Sequence, residues 1–342
     1  MRKLLNTLYL TQENHYLSRN RENLVVKLDG IEIARFPHTI LEQIVCFSYI
    51  GISPSAMQLC MENNINVSFI SQSGYYCGSV LGKTNGNVLL RREQYRIADD
   101  NIRSLDYARR QILAKVSNSR KYVIKFKKDH KSKLDVEKFE SINSDLLKLV
   151  KIIRKVSDKD SLRGLEGTAA NLYFSLFKDL NLSGNSVFDF ISRTKRPPMD
   201  CINALLSFGY TLLTRECSAA LETVGLDCYV GFFHTDRPGR ESLSLDLVEE
   251  FRSYLVDRFV FSLINLKQIS EKDFEIKENG SVLLNDKGRK IFLSKWKERK
   301  DKLILHPYID EKIKIGLLPY VQAQLLAKSI RGDISDYPPF LI

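Results

Sequence analysis

Val88-Leu89-Leu90-Arg91-Arg92-Glu93-Gln94-Tyr95-Arg96-Ile97-Ala98 is where the chain changes its period. From about Val88 the apolar pattern is helical and stays so; residues 89–116 hold neither Pro nor Gly and read as one long helix or a broken pair. Further helices are predicted over 134–156, 161–180, 187–192, 198–224, 242–266 and 315–330, with a small hairpin around 274–293 where Gly280 and Asn285-Asp286-Lys287-Gly288 interrupt. Upstream, short β-rich runs alternate with turn signals at 7–10, 24–28, 31–36, 66–70 and 75–81. Asp29-Gly30 marks a hairpin between the second and third runs, and Asn85-Gly86-Asn87 a turn after the last. Ser53-Pro54 opens a short helix over 55–63. The reading is an α+β chain, with a small β-rich N-terminal domain at 1–92 and a larger, mostly α-helical domain at 93–342.

Composition narrows the class. With 342 residues, 44% hydrophobic and 27% charged, the chain is ordinary globular material that can bury a core without disulfide staples. No apolar run approaches the ~20 residues that cross a bilayer. Polar residues after Met1-Arg2-Lys3-Leu4-Leu5-Asn6 interrupt any apolar signal core, so a soluble, cytoplasmic protein with no membrane partner is expected. The six cysteines form no CxxC pair, which argues against a Cys-based metal site and for small buried hydrophobes. No GxxxxGK[ST] loop is present for a nucleotide cofactor.

Charge is basic, at +11, and unevenly spread. Residues 109–133 hold ten Lys/Arg against one acid, Asp129. Such a strip suits a phosphate backbone through counterion release; it equally suits a solvated connector between helices. A second cluster, Arg193-Thr194-Lys195-Arg196-Pro197-Pro198, sits at the entry to a helix, whose N-terminus favours phosphate.

Three segments could converge on a reaction centre. Glu166 lies in a helical stretch among Gly164, Gly167, Ala169 and Ala170; two helix-weakening glycines suggest the close approach of a backbone or ligand. His234 ends the apolar run Tyr229-Val230-Gly231-Phe232-Phe233, at the edge of the turn Asp236-Arg237-Pro238-Gly239. Asp246 and Glu249, at i and i+3, share a helix face with Glu250 close by, although an acidic helix start alone would explain them. A glutamate, a histidine and further carboxylates suit Mg²⁺ or Mn²⁺ and, through it, phosphoryl chemistry.

Leu165-Glu166-Gly167, Gly231-Phe232-Phe233-His234-Thr235 and the run from Leu243 to Arg252 are also where the sequence resembles the CRISPR-associated integrase family, the DNA-joining subunit of the spacer-acquisition complex. Arg196-Pro197-Pro198 and the run from Asn203 to Tyr210 are similar to family motifs as well, and Tyr337-Pro338-Pro339-Phe340 resembles type I-C versions. The resemblance spans essentially the whole chain. It implies a metal held by Glu166, His234 and Glu249, with Asp246 as a second acidic position supporting the site; the family pattern favours Glu249 over Asp246 as ligand. Arg193, Lys195, Arg196, Asn203, Ser207 and Tyr210 would lie near a DNA end, with Tyr210 stacking on or positioning a nucleotide. It further implies 3′-hydroxyl transesterification that inserts short foreign DNA at a CRISPR repeat. The implied assembly is a homodimer held largely by the β-rich domains, two dimers being bridged by a small ferredoxin-like partner into a heterohexamer. Two other readings remain: a metal-dependent nuclease on branched or single-stranded DNA, and a non-catalytic nucleic-acid scaffold.

Overall fold

The computed structural model describes residues 6–10, 14–47, 51–70, 76–80, 82, 88–194 and 197–342; the expected turn at 85–87 lies outside them. The chain divides into two compact units. Met1–Gly86 group with Phe292–Lys302 and Lys314–Leu317, and Asn87–Ile291 with Leu303–Ile313 and Leu318–Ile342. Its class is α+β, strand-rich first and mostly helical afterwards.

The first unit runs β1 (Asn6–Leu10), β2 (His15–Asn20), β3 (Asn23–Leu28), β4 (Ile31–Pro37), β5 (Leu41–Phe47), β6 (Gly51–Ile52), α1 (Pro54–Glu62), β7 (Asn66–Ile70) and β8 (Tyr76–Val80). Two four-stranded sheets result, ordered β4-β3-β2-β6 and β1-β5-β7-β8. The Asp29-Gly30 hairpin forms as expected: both residues take positive φ, 51° and 83°, and Leu28 pairs with Ile31. Ser53 caps α1, accepting from Ala56 N at 3.2 Å, with Pro54 in the first turn. Leu17, Leu24, Val26, Ile44, Cys46 and Val67 close the core with Ala56, Leu59 and Cys60 from α1. Strand β2 escaped the sequence reading because its residues are mostly polar; Leu17 carries its fully buried contact. Five cysteines are buried as expected, whereas Cys77 is exposed.

The second unit begins with α2 (Val88–Asp99) and α3 (Asn101–His130). The pair is broken at Asp100, whose carboxylate caps α3 by accepting from Ile102 N at 2.8 Å and Arg103 N at 3.1 Å. The basic stretch is therefore helix through His130 rather than a connector. Next come α4 (Val136–Ile153), α5 (Lys159–Phe174), the short α6 (Phe177–Leu180) and α7 (Cys201–Thr223). Asp135, Asp158 and Asp200 cap α4, α5 and α7 in the same way. The helix expected over 187–192 is only a 3₁₀ turn, Ser186–Phe188.

The expected single helix over 242–266 is three pieces: α8 (Ser242–Glu249), a π-helical turn (Arg252–Asp257) and α9 (Arg258–Asn265). The hairpin near 280 is β9 (Phe274–Ile276) with β10 (Val282–Leu284). It turns at Gly280, φ +77°, not at residues 285–288. Asn285 instead opens α10 (Asp286–Lys300), its side chain accepting from Gly288 N at 2.9 Å. A ribbon of β11 (Leu303–Leu305) and β12 (Lys312–Lys314) precedes α11 (Leu318–Arg331). Among the described residues, no helix is long and apolar enough to cross a membrane.

Candidate active site

Helices α3, α5 and α8 bring their acidic and basic side chains to one place. Lys115, midway along α3, forms an ion pair with Glu166 of α5 and lies 2.9 Å from Glu249 Oε2. Arg252, three residues beyond Glu249, reaches its other oxygen at 3.0 Å. Glu249 is 4% exposed, and its Oε2 has Lys115's charge without a hydrogen bond in good geometry. Burial alone would push this carboxyl up, but the charges of Arg252, Lys115 and His234 outweigh it and hold Glu249 at about 2.

His234 is fixed by Asp246, one turn earlier on α8 than Glu249. Its Nδ1 lies 2.6 Å from Asp246 Oδ1, which also accepts from His234 N at 3.0 Å. Asp246 Oδ2 accepts from the backbone N–H of Phe232 at 2.6 Å and Phe233 at 3.0 Å. Asp246, 1% exposed, thus folds the loop around its two oxygens and leaves Nε2 as the imidazole nitrogen for another partner. Gly231 is required here: a Cβ would meet Ser242's backbone carbon at 2.8 Å and Asp246 Oδ2 at 2.9 Å. A Cβ at Gly164 or Gly167 would meet nothing within 4 Å, so among the described residues no second backbone accounts for these glycines, and the space beside α5 is open there.

A cavity of about 80 Å³ opens beside these residues, lined by Lys115, Glu166, Arg193, Tyr210, Arg252 and Asp257 among others. Tyr210 is held by its hydroxyl, 2.5 Å from Asp257 Oδ1, and by its ring, with the Arg252 and Arg193 guanidinium carbons 4.9 and 5.5 Å from its centroid. Tyr173 donates to the other Asp257 oxygen at 2.9 Å. Burial dominates at Asp257, pushing it up to about 6 despite these hydrogen bonds and the two arginines. Arg193 donates to Asn203 Oδ1 at 2.6 Å and Ser207 Oγ at 3.1 Å. Asn203 is fully buried, its amide also donating to Ser192 O at 2.8 Å, so it braces the Arg193 loop from within. Lys195 and Arg196 lie outside the described residues.

The structure thus joins Glu166 and Glu249 through a shared cation, and His234 to Asp246. Sequence reasoning missed Lys115, Tyr173 and Asp257 as members of the site. Lys115 stood in the basic stretch and nothing set it apart, because long-range pairing is invisible to spacing. Among the described residues, no group of three or more His, Cys, Asp or Glu side chains is arranged to hold a metal ion. Two of the three expected ligands, Glu166 and Glu249, do converge on one positive charge, the Lys115 ammonium, while His234 is held by Asp246. Two carboxylates and an imidazole are a donor set that fits Mg²⁺ or Mn²⁺.

The fold is that of a known class. A structure titled as a casposase bound to integration product matches with a TM-score of 0.84 at 25% identity, covering 98% of this chain and 93% of that one. A Cas6-RT-Cas1–Cas2 complex matches with a TM-score of 0.81 at 25% identity, covering 98% of this chain and 36% of that chain. The chain belongs to the Cas1 family: the family model for CRISPR associated protein Cas1 matches residues 8–298. It is 42% identical over 341 residues to a CRISPR-associated endonuclease Cas1 of Chlorobaculum tepidum, covering 100% of this chain and 99% of the relative.

Proposed function

We propose that the chain is a divalent-metal-dependent DNA integrase and endonuclease of CRISPR adaptation, which inserts short foreign fragments at the CRISPR repeat by 3′-hydroxyl transesterification. The observation that carries this reading is the meeting of Glu166 and Glu249 on one cation, beside a histidine braced by Asp246. Membership of the Cas1 family and the likeness to a casposase bound to integration product support it. Mg²⁺ or Mn²⁺, held by Glu166, Glu249 and His234, would polarise the scissile phosphate and favour the attacking hydroxyl.

The chain's own groups do the rest. Asp246 keeps Nδ1 of His234 engaged and so fixes which nitrogen is offered to the site. Lys115 and Arg252 supply positive charge beside the phosphate oxygens that carry negative charge in the transition state. The open face at Gly164 and Gly167 leaves room for a DNA strand beside Glu166. In the joining step the fragment's 3′-hydroxyl gives up its proton to solvent as its oxygen bonds to phosphorus, while the repeat's 3′-oxygen leaves and takes up a proton. One phosphodiester replaces another, so no ATP is needed. Arg193, Lys195, Arg196, Asn203, Ser207 and Tyr210 form, in this reading, the wall near the DNA end, Arg193 and Tyr210 by contact and Asn203 and Ser207 by holding Arg193. The relevant assembly is a type I-C homodimer, cytoplasmic, bridged to a second dimer by a small ferredoxin-like partner. A structural neighbour that is a Cas1–Cas2 complex supports a protein partner for this chain.

The test is strand joining on a supercoiled repeat plasmid with a labelled short duplex bearing 3′-hydroxyls, with and without the small partner. Label should enter the plasmid with Mn²⁺ or Mg²⁺, and should fall by orders of magnitude with EDTA, Glu166→Ala or His234→Ala. Nicking without label transfer would leave the nuclease reading in its place.

A further inference from the structure

The segment from Asp336 to Ile342 runs directly behind the candidate site. Glu250, fully buried next to Glu249, accepts from Tyr337 OH at 2.6 Å on one oxygen; on the other it accepts from Phe340 N at 2.7 Å and Gln322 Nε2 at 3.0 Å. Asn118, one turn after Lys115 on α3, donates to the carbonyls of Glu250 at 2.9 Å and Phe340 at 2.8 Å. Its own oxygen accepts from Ile342 N at 3.0 Å. The Phe340 ring, fully buried, lies 5.6 Å from Phe251, which precedes Arg252, and 5.7 Å from Tyr254, two residues beyond it.

We infer that Asp336–Ile342 is a positioning element of the reaction centre, which pins α3 to the end of α8 through Asn118 and Glu250 and thereby sets Lys115, Glu249 and Arg252 against one another. Packing alone does not explain it. A fully buried carboxyl is costly unless its hydrogen bonds are made, and an apolar side chain there would leave Tyr337 OH, Phe340 N and Gln322 Nε2 without this acceptor. What a carboxylate with three donors adds is direction: its hydrogen bonds exist in one register of α3 against α8 and are lost in any other. The neighbours so registered are the ones that carry the charged groups of the site. Tyr337 and Asn118 act through Glu249 and Lys115 and are positioning residues.

This inference rests on the function proposed above, and the experiment separates the two. Wild type, Tyr337→Phe and Asn118→Ala are compared with Ile153→Val, a core change on α4 away from the segment. Three quantities are read: the single-turnover joining rate, the DNA Kd, and the Mn²⁺ concentration that gives half of the metal-induced rise in Tm. Tyr337→Phe keeps the ring and removes one donor to Glu250. It should slow joining about 10–100-fold with DNA Kd within about twofold of wild type, and should raise the Mn²⁺ midpoint severalfold. Ile153→Val should lower Tm without moving rate or midpoint. The inference is overturned when Tyr337→Phe and Asn118→Ala join at the wild-type rate with an unchanged midpoint, or when their losses merely follow Tm as in Ile153→Val. If wild type itself yields no joined product, the proposed function is overturned and the Mn²⁺ midpoint alone decides the inference.

Discussion

Asp246 makes four contacts with two oxygens, three to backbone N–H groups and one to the His234 ring. An asparagine there keeps the shape but turns one acceptor into a donor that faces N–H groups. Asp246→Asn should therefore lower the single-turnover joining rate by two orders of magnitude or more and cost about 2 kcal/mol of stability, while DNA affinity stays near wild type. Equal joining rates for the two proteins would remove Asp246 from the mechanism. The residues that sequence could point to were those in a local pattern: a histidine at the edge of an apolar run, two carboxylates a turn apart, a glutamate between glycines. Lys115 and Asp257 carry no such pattern. Their part in the site comes from pairing across 51 residues in one case and 84 in the other, which only folding creates.

At the scale of elements, α3 combines two roles on one helix. Its inner side supplies Lys115 and Asn118, while Lys121, Lys125 and Lys128 stand exposed at i, i+4 and i+7. That spacing gives a strip of charge facing solvent, suited to phosphates and silent about base sequence. Replacing these three lysines by alanine should reduce the slope of log Kd against log salt by about 2.7 and weaken DNA binding at low salt. At saturating DNA the joining rate should be unaffected. An unchanged salt slope would assign the strip to solubility alone. The helical character of residues 89–116 was legible from period and from the lack of Pro and Gly; that the helix runs on to His130 was not, because its lysines suit a solvated connector equally. Where it breaks was left open, because Asp100 acts through a side-chain cap. The hairpin turn at Gly280 was legible, whereas Asn285 is as fit for a helix cap as for a turn, and its surroundings decide.

For the whole molecule, buried carboxyl groups set how stability follows pH. Glu249, held at about 2 against an ordinary value of 4.5, contributes stability that is present above 4.5 and lost as pH falls towards 2. Glu222, pushed up to about 7 by burial and then by Glu241, works the other way. Its contribution is present below 4.5 and lost as pH rises through 7. Thermal unfolding should therefore show Tm falling between about pH 5 and pH 8, and Glu222→Gln should flatten that fall. Parallel curves for the two proteins would rule Glu222 out as a source. The division into a strand-rich and a helical part, read from the change of period at Val88, is the coarsest feature of the chain and the one most fully written in local sequence. The π turn at Arg252–Asp257 is the opposite, a detail on which distant parts depend. Its wider winding lets Arg252 and Asp257 line the same cavity although five positions separate them. An in-frame loss of one codon between Ser253 and Val256 would allow residues 242–265 to wind as one regular helix. The residue lost is the one that the wider turn absorbs, so α9 would keep its face to the core and only the shared wall of Arg252 and Asp257 would go. A smoother helix lies one codon away, and the length of this stretch is closed to drift all the same.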